Sequence, residues 1–372
     1  MMENREKQPL VLYITYVNAD QTSSGSNMRP AKMYDAFLQA GCRVKLLSGC
    51  QEWRDRSARR TAVENVSRWL DSYRPDFCYV ESPVYPILWD FDRKLLSKIH
   101  AMGIPLGYYY RDYHRRFPQL FPRRTSTMGR AKELWLDRMQ NKTDKLLEKC
   151  DIVYFPSRQA AALFSYRDSR LLPPGGEERE PVPAPGGKTC IYVGGLTSHY
   201  GGETILRAFA LLNREGDEYP LILVCRKAEW EKMPAEFRSA PWLELHHASG
   251  SELEPLYRRA DAGLIADRLP NAYNDLAHSV KLFEYMSYGL PVVYVKSAAT
   301  HEFVSRYAFG VGTDFSPESF AAGIREMFSD PETYARRRAA SHGALMDGNR
   351  WVDRAQQVLR ELSEVKIAQK ER

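Results

Sequence analysis

Lys281 and Glu284, in the run HSVKLFEYMSYGLPVVYV (278–295), have the types and spacing that could do chemistry. Ser279 stands where it can cap a helix, which puts Val280 and Lys281 in its first turn. A cation there opposes the helix dipole and costs stability unless an anion offsets it. Glu284 follows at i+3 and shares a face with Lys281, so a plain surface ion pair is the competing reading. Gly289, Leu290 and Pro291 then end the helix and begin a buried strand. A second cluster lies upstream in IYVGGLTSHYGGETILRAF (191–209), where Gly194 and Gly195 end a strand and Gly201 and Gly202 lead into a helix. Glycine lets a backbone turn sharply beneath a ligand and brings its amides close to a phosphate.

The first half offers different groups. Ser24, Gly25, Ser26 and Asn27 form a small polar loop ahead of a helix, so Gly25 and Ser26 are candidates to approach a phosphate. The loop does not match GxGxxG, so a simple dinucleotide fingerprint is absent. In YYYRDYH (108–114), Asp112 is the candidate to orient or deprotonate a hydroxyl, with His114 as runner-up. Arg111 is a neighbouring acceptor-side candidate, and a surface pair of Asp112 with Arg111 or Arg115 is the alternative. Glu81, at the end of DFCYVE, either contacts an acceptor or braces its loop. From Tyr108 to Lys132 aromatics alternate with Arg111, Arg115, Arg116, Arg123, Arg124, Arg130 and Lys132. That pattern suits a solvated surface, an anionic membrane or a phosphate-bearing acceptor. No nucleic-acid motif accompanies it.

These groups need a scaffold, and the apolar pattern supplies one. Short apolar runs fall at 10–17, 43–47, 76–81, 104–110 and 151–155, then again at 189–193, 220–225, 242–246, 261–266 and 291–295. Helical patterns lie between them, such as PAKMYDAFLQAG, with Pro30 at the expected first helical position and Gly41 as the stop. Unbroken apolar strands alternating with helices predict parallel sheets covered on both faces, here twice over. The fold class is α/β, with two Rossmann-like doubly wound domains. PPGGEEREPVPAPGGK reads as a linker at 173–188, separating a domain at 1–172 from one at 189–345. The tail at 346–372 is helical, with Trp351, Val352, Ala355, Val358, Leu359 and Leu362 near one face.

The chain has 372 residues, 44% hydrophobic and 27% charged, with a net charge of +6, an ordinary globular mixture with material for two cores. No run reaches the roughly 18–20 apolar residues that span a bilayer. The polar start MMENREKQPL is not a secretory signal. Six scattered cysteines without a CxxC pair predict free thiols and no structural zinc. The remaining histidines, His246 and His247 among them, lack metal-ligand spacing.

SVKLFEYMSYGLPVV resembles the nucleotide-binding motif of retaining glycosyltransferases of the GT-B fold, in particular glycosyltransferase family 4. YVGGLTSHYGG resembles the loop that opens the donor domain of that family. SGSNMRPAKMYDAF resembles its acceptor-side glycine loop, and LLPPGGEE the passage between its domains. The resemblance implies that Glu284 binds the ribose, and that Lys281 and the helix amides hold the diphosphate. It also implies that the two domains face each other across a cleft and that the tail helix crosses back to the first domain. Two features depart from the pattern. Leu276, beside Asp275, stands where the family has a second acidic residue. The loop after Gly195 lacks the family's arginine and lysine, with His199 as its one candidate cation; Arg226 and Lys227 could supply charge from the neighbouring strand. Asp90 and Asp92, in WDFDRK, match a metal-binding Asp-x-Asp pattern of another glycosyltransferase fold but lie in a predicted helix.

The expectation is a metal-independent transferase that moves a sugar from a nucleotide-diphosphate sugar to a hydroxyl acceptor, with retention. No cofactor and no nucleic-acid partner is expected. The acceptor is a glycan, a lipid-linked saccharide or a small molecule, and the place of action is the cytoplasm, with peripheral contact to an anionic membrane. The alternatives are a non-catalytic nucleotide-sugar-binding subunit and an epimerase on the same architecture.

Overall fold

A computed structural model of the chain describes residues 8–18, 25–180, 186–197, 200–216, 219–267 and 272–371. The chain divides into two compact units, one running to Pro173 and including the tail from Trp351, the other covering Pro174–Arg350.

The first unit alternates strand and helix. Its elements are β1 (Leu10–Ile14), α1 (Gly25–Gln39), β2 (Arg43–Leu47), α2 (Arg56–Ser72), β3 (Phe77–Glu81) and α3 (Asp90–Ala101). Next come β4 (Leu106–Tyr109), α4 (Thr127–Leu147), β5 (Ile152–Phe155), α5 (Arg158–Ala161) and β6 (Ser169–Leu171). The strands pair in parallel in the order β2-β1-β3-β4-β5-β6, with Val11 opposite Val44 on one side and Phe77 on the other. Helices on both faces bury β1, β3, β4 and β5, which is why these strands read as continuous apolar runs.

The second unit begins with β7 (Cys190–Val193), α6 (Gly202–Leu212), β8 (Leu221–Val224), α7 (Lys227–Trp230), β9 (Leu243–His246) and α8 (Glu254–Arg258). It continues with β10 (Ala262–Ile265), α9 (Val280–Ser287), β11 (Val292–Val295), α10 (Ala298–Tyr307), β12 (Gly310–Thr313), α11 (Pro317–Met327) and α12 (Pro331–Met346). Its parallel sheet runs β12-β11-β10-β7-β8-β9, the order of a dinucleotide-binding fold. Phe209, Leu223 and Phe320 pack on one face of the sheet, and Ile222, Leu282 and Phe309 on the other. Burying each such side chain contributes about 1.5–3 kcal/mol.

Four sequence expectations change. The first helix starts at Gly25, so Pro30 lies inside α1 and not at its first position, and Gly25–Asn27 are helical, not a loop. Two strands went unread: β6, three residues of SRL at a sheet edge, and β12, whose sequence is GVGT. The described start of the expected linker is bound to the second unit. There Gly176 N donates to Asn349 O at 2.9 Å and Glu177 N to Ser287 Oγ at 2.8 Å. A side chain at Gly176 would stand 2.6 Å from Phe283 O, so this approach needs glycine. Finally, the tail is one helix, α13 (Trp351–Lys370), beginning at 351 rather than 346. It packs on α1 and buries Trp351, Ala355, Val358 and Leu362 among Phe37, Tyr79, Tyr109 and Tyr154 of the first unit.

The Asp-x-Asp pair is occupied by arginines. Asp92 is buried 2.8 Å from the equally buried Arg59, and Asp90 pairs with Arg93 in the first turn of α3. Neither arrangement leaves the two carboxylates converging on one point. The six cysteines are free, and five of them are buried. Among the described residues, no helix is long and apolar enough to cross a membrane.

Candidate functional site

In a doubly wound sheet, neighbouring strands whose connections run to opposite faces leave a crevice beyond their carboxyl ends. In the second unit that point lies between β7 and β10, and the chain there contributes Gly194 after β7 and Asp267 after β10. Helix α9, which follows β10, brings Lys281 to the same place.

Lys281 is largely buried. Its ammonium donates to the Tyr192 hydroxyl at 3.3 Å and stands 4.0 Å from Asp267 Oδ1, too far for a hydrogen bond. It lies 4.6 Å above the Tyr192 ring and 5.3 Å from that of Tyr200. It therefore turns inward to Tyr192 and Asp267, not outward to Glu284, and the surface-pair reading fails. Burial, with Asp267 nearby, holds the Tyr192 phenol well above its usual range, so that it stays a neutral hydrogen-bonding group. Gly194 makes room for the lysine, since a Cβ there would lie 2.6 Å from Nζ. Gly195 does the same for Tyr200, whose ring would be 2.6 Å away. The Tyr192 hydroxyl is 2.7 Å from Gly195 O, and Glu229 Oε2 accepts from Leu196 N at 2.7 Å, which fixes the turn.

Ser279 occupies the N-cap of α9 without spending its side chain on a capping bond, and Val280 begins the helix. A cavity of about 140 Å³ opens there, lined by Asp267, Tyr273, Asn274, Ser279 and Ser297 among others. Glu284 is half-buried one turn on, accepting from the Tyr257 hydroxyl at 3.1 Å. Among the described residues, the carboxylate nearest the Lys281 ammonium is Asp267 at 4.0 Å, and the start of α9 lies beside them. Such a place favours a bound anion.

The remaining donor-side candidates are less central. Arg226 is 74% exposed and pairs with Glu229 at 2.8 Å, so it reaches the Gly195 turn only through that carboxylate. Lys227 begins α7 and is exposed. Leu276 is buried, and Asp275 caps α10 by accepting from Ala298 N at 2.6 Å. His199 lies outside the described residues. His246 and His247 bond Glu244 and the Cys225 carbonyl. Tyr192, Tyr200, Asp267 and Glu229 escaped the sequence reading. Tyr192 is flagged only by its place before two glycines, and Asp267 only by ending a strand.

In the first unit, a cavity of about 1060 Å³ opens beyond the carboxyl ends of β1, β3 and β4. Asp112 and His114 both line it. Arg111 stands behind Asp112 at 3.4 Å and does not line the cavity. Glu81 is a brace. It is fully buried and its Oε1 accepts from Arg29 Nε at 3.0 Å and from the Tyr79 hydroxyl at 2.7 Å, so it braces the strand end and does not face an acceptor. Arg29 in turn stacks 3.6 Å over the Tyr109 ring. Gly25 and Ser26 begin α1.

Among solved structures the chain is similar to sucrose-phosphate synthase from Thermosynechococcus elongatus, at TM-score 0.70 and 14% identity over 97% of this chain and 100% of that one. It is similar to Anabaena HepE in complex with UDP, at TM-score 0.63 and 15% identity over 95% and 99%. A third likeness is to an α,α-trehalose-phosphate synthase (UDP-forming) from Burkholderia vietnamiensis, at TM-score 0.63 and 12% identity over 97% and 100%. The two six-stranded parallel sheets are thus those of the GT-B fold. Residues 187–330, within the second unit, match the family Glycosyl transferases group 1. No curated protein matches the chain by sequence.

Proposed function

We propose that the protein transfers a sugar from a nucleotide-diphosphate sugar to a hydroxyl acceptor, with retention of anomeric configuration and without a metal. The observation that carries this reading is the buried Lys281 ammonium at the start of α9, held by Tyr192 and set against the Gly194–Gly195 turn. Cleaving a glycosyl–diphosphate bond builds negative charge on the leaving phosphate. Groups fixed in advance stabilise that charge without reorganising during the reaction. Lys281 and the first amides of α9 would receive the diphosphate, and Glu284 the ribose. Asp112, with His114 beside it, would orient the acceptor hydroxyl. Arg226 and Lys227 supply at most a long-range field. The UDP bound in the Anabaena structure makes UDP-sugars the first donors to try.

The test is release of nucleoside diphosphate from a panel of donors in the presence of chelator, with NMR of the product anomer. Lys281→Ala should lower turnover by roughly 10²–10³ while the fold and melting profile persist. Unchanged turnover would remove Lys281 from the mechanism. Isomerised donor in the absence of acceptor would instead identify an epimerase, and donor binding without transfer a non-catalytic subunit.

A further inference from the structure

The cavity of the first unit has two kinds of wall. One is aromatic and apolar. Trp53, 69% exposed, stacks edge-on against Trp89 at 4.6 Å and lies 6.3 Å from Trp135. Tyr85 and Phe121 are 57% and 38% exposed along the same opening. Monomeric surfaces seldom leave such large rings uncovered side by side unless something packs on them. At about 1060 Å³, the space sits at the upper end of the range of small-molecule sites.

The other wall is charged, and its charges do not all count. Arg115 is neutralised by Glu133 and Asp137, Arg123 by Asp137, and Glu52 by Arg54. Asp144 is hydrogen-bonded by Gln140 at 2.8 Å and feels the charge of Arg116, whose guanidinium lies 4.9 Å over the Phe164 ring. Arg124 and Lys132 are left, both lining the cavity and both without an acidic partner among the described residues. Two uncommitted cations beside an aromatic ledge fit one occupant better than two: an apolar body that carries an anion.

We propose that this cavity binds an anionic amphiphile, a phosphate ester of a long apolar chain, as the acceptor or its carrier. The proposal rests on the sugar-transfer reading only for the word acceptor, because binding itself requires no donor. The apolar chain lies along Trp53, Trp135 and Phe121, and the phosphate meets Arg124 and Lys132. That places the substituent of the phosphate near Asp112, the group assigned to the acceptor hydroxyl.

The probe is farnesyl monophosphate, kept below its micelle-forming concentration and titrated against the full chain by tryptophan fluorescence and calorimetry. Farnesol, inorganic phosphate, a phosphate-free oligosaccharide and anionic phospholipid vesicles are the comparison arms. Saturable binding of farnesyl phosphate is expected, with farnesol and phosphate each at least tenfold weaker. The double variant Arg124→Ala/Lys132→Ala should lose at least tenfold in affinity for farnesyl phosphate while leaving farnesol binding and UDP binding unchanged. Trp53→Ala, at an exposed position, should weaken farnesol and farnesyl phosphate together. Equal binding of the oligosaccharide would overturn the proposal, as would vesicle binding that the double variant does not reduce, or no farnesyl phosphate binding at all. Loss of this binding with sugar transfer intact would leave the transferase reading in place. The reverse result would leave the amphiphile site in place without it.

Discussion

Beyond the carboxyl edge of the second unit's sheet, a few small residues converge on one buried lysine; beyond the first unit's, a wide cavity is walled by tryptophans and by arginines mostly paired off. Both sheets are six parallel strands with helices on either face. The difference lies in what the loops do with their backbone. After β7 the chain gives up side chains at Gly194 and Gly195 so that Lys281 and Tyr200 can close in. After β4 it adds side chains instead, a segment of aromatics and arginines leading from Tyr108 into α4. On the proposed reading, the narrow site would take a chemical group common to many donors. A broad, amphipathic one suits a particular partner.

That contrast can be broken most forcefully through stability. Leu362→Ala removes a fully buried side chain of α13 from the first unit's core and should cost about 2–5 kcal/mol. The loss should appear in hydrogen exchange of α1 and β4, while UDP still protects α9. Equal loss of protection in both units would show that they melt as one. Lys281→Ala comes next, with its roughly 10²–10³-fold fall in turnover, or about 2.7–4 kcal/mol of transition-state stabilisation, and a normal melting curve. Gly201→Ala follows. Its φ is +67° and a Cβ would fall 2.0 Å from Ala266 O, so the Gly201 turn and the end of β10 must shift. Strain of about 1–3 kcal/mol is expected in thermal unfolding, together with weaker donor binding; a variant as stable as the parent would show the turn to be adaptable. The smallest effect belongs to Arg226→Ala. An exposed pair is worth about 0–1 kcal/mol, so the donor Kd should rise no more than fivefold, and a larger rise would move Arg226 into the site.

Much of this architecture was legible because buried parallel strands must be apolar throughout, so that LVLYI, FCYVE and CIYV announce themselves. SRL and GVGT did not, since an edge strand needs little burial and Gly323 packs against Thr313 where larger side chains would stand. Lys281 was found because a lysine in a first helical turn contradicts the local electrostatics. Tyr192 and Asp267 contradict nothing locally; their importance arises only when β7, β10 and α9 meet. Glu81 took the second of its two readings, for the opposite reason. Its position at a strand end allowed contact with an acceptor, but Arg29, 52 residues away, reaches across and bonds it.

The chain leaves its first sheet at Pro173, builds an entire second domain, and only then supplies the helix that seals the first. On the ribosome, the aromatic flank formed by Phe37, Tyr79 and Tyr154 must therefore wait uncovered through the synthesis of about half the protein. The domain made first is finished last, and removing the last twenty residues should injure the half most distant from them in sequence.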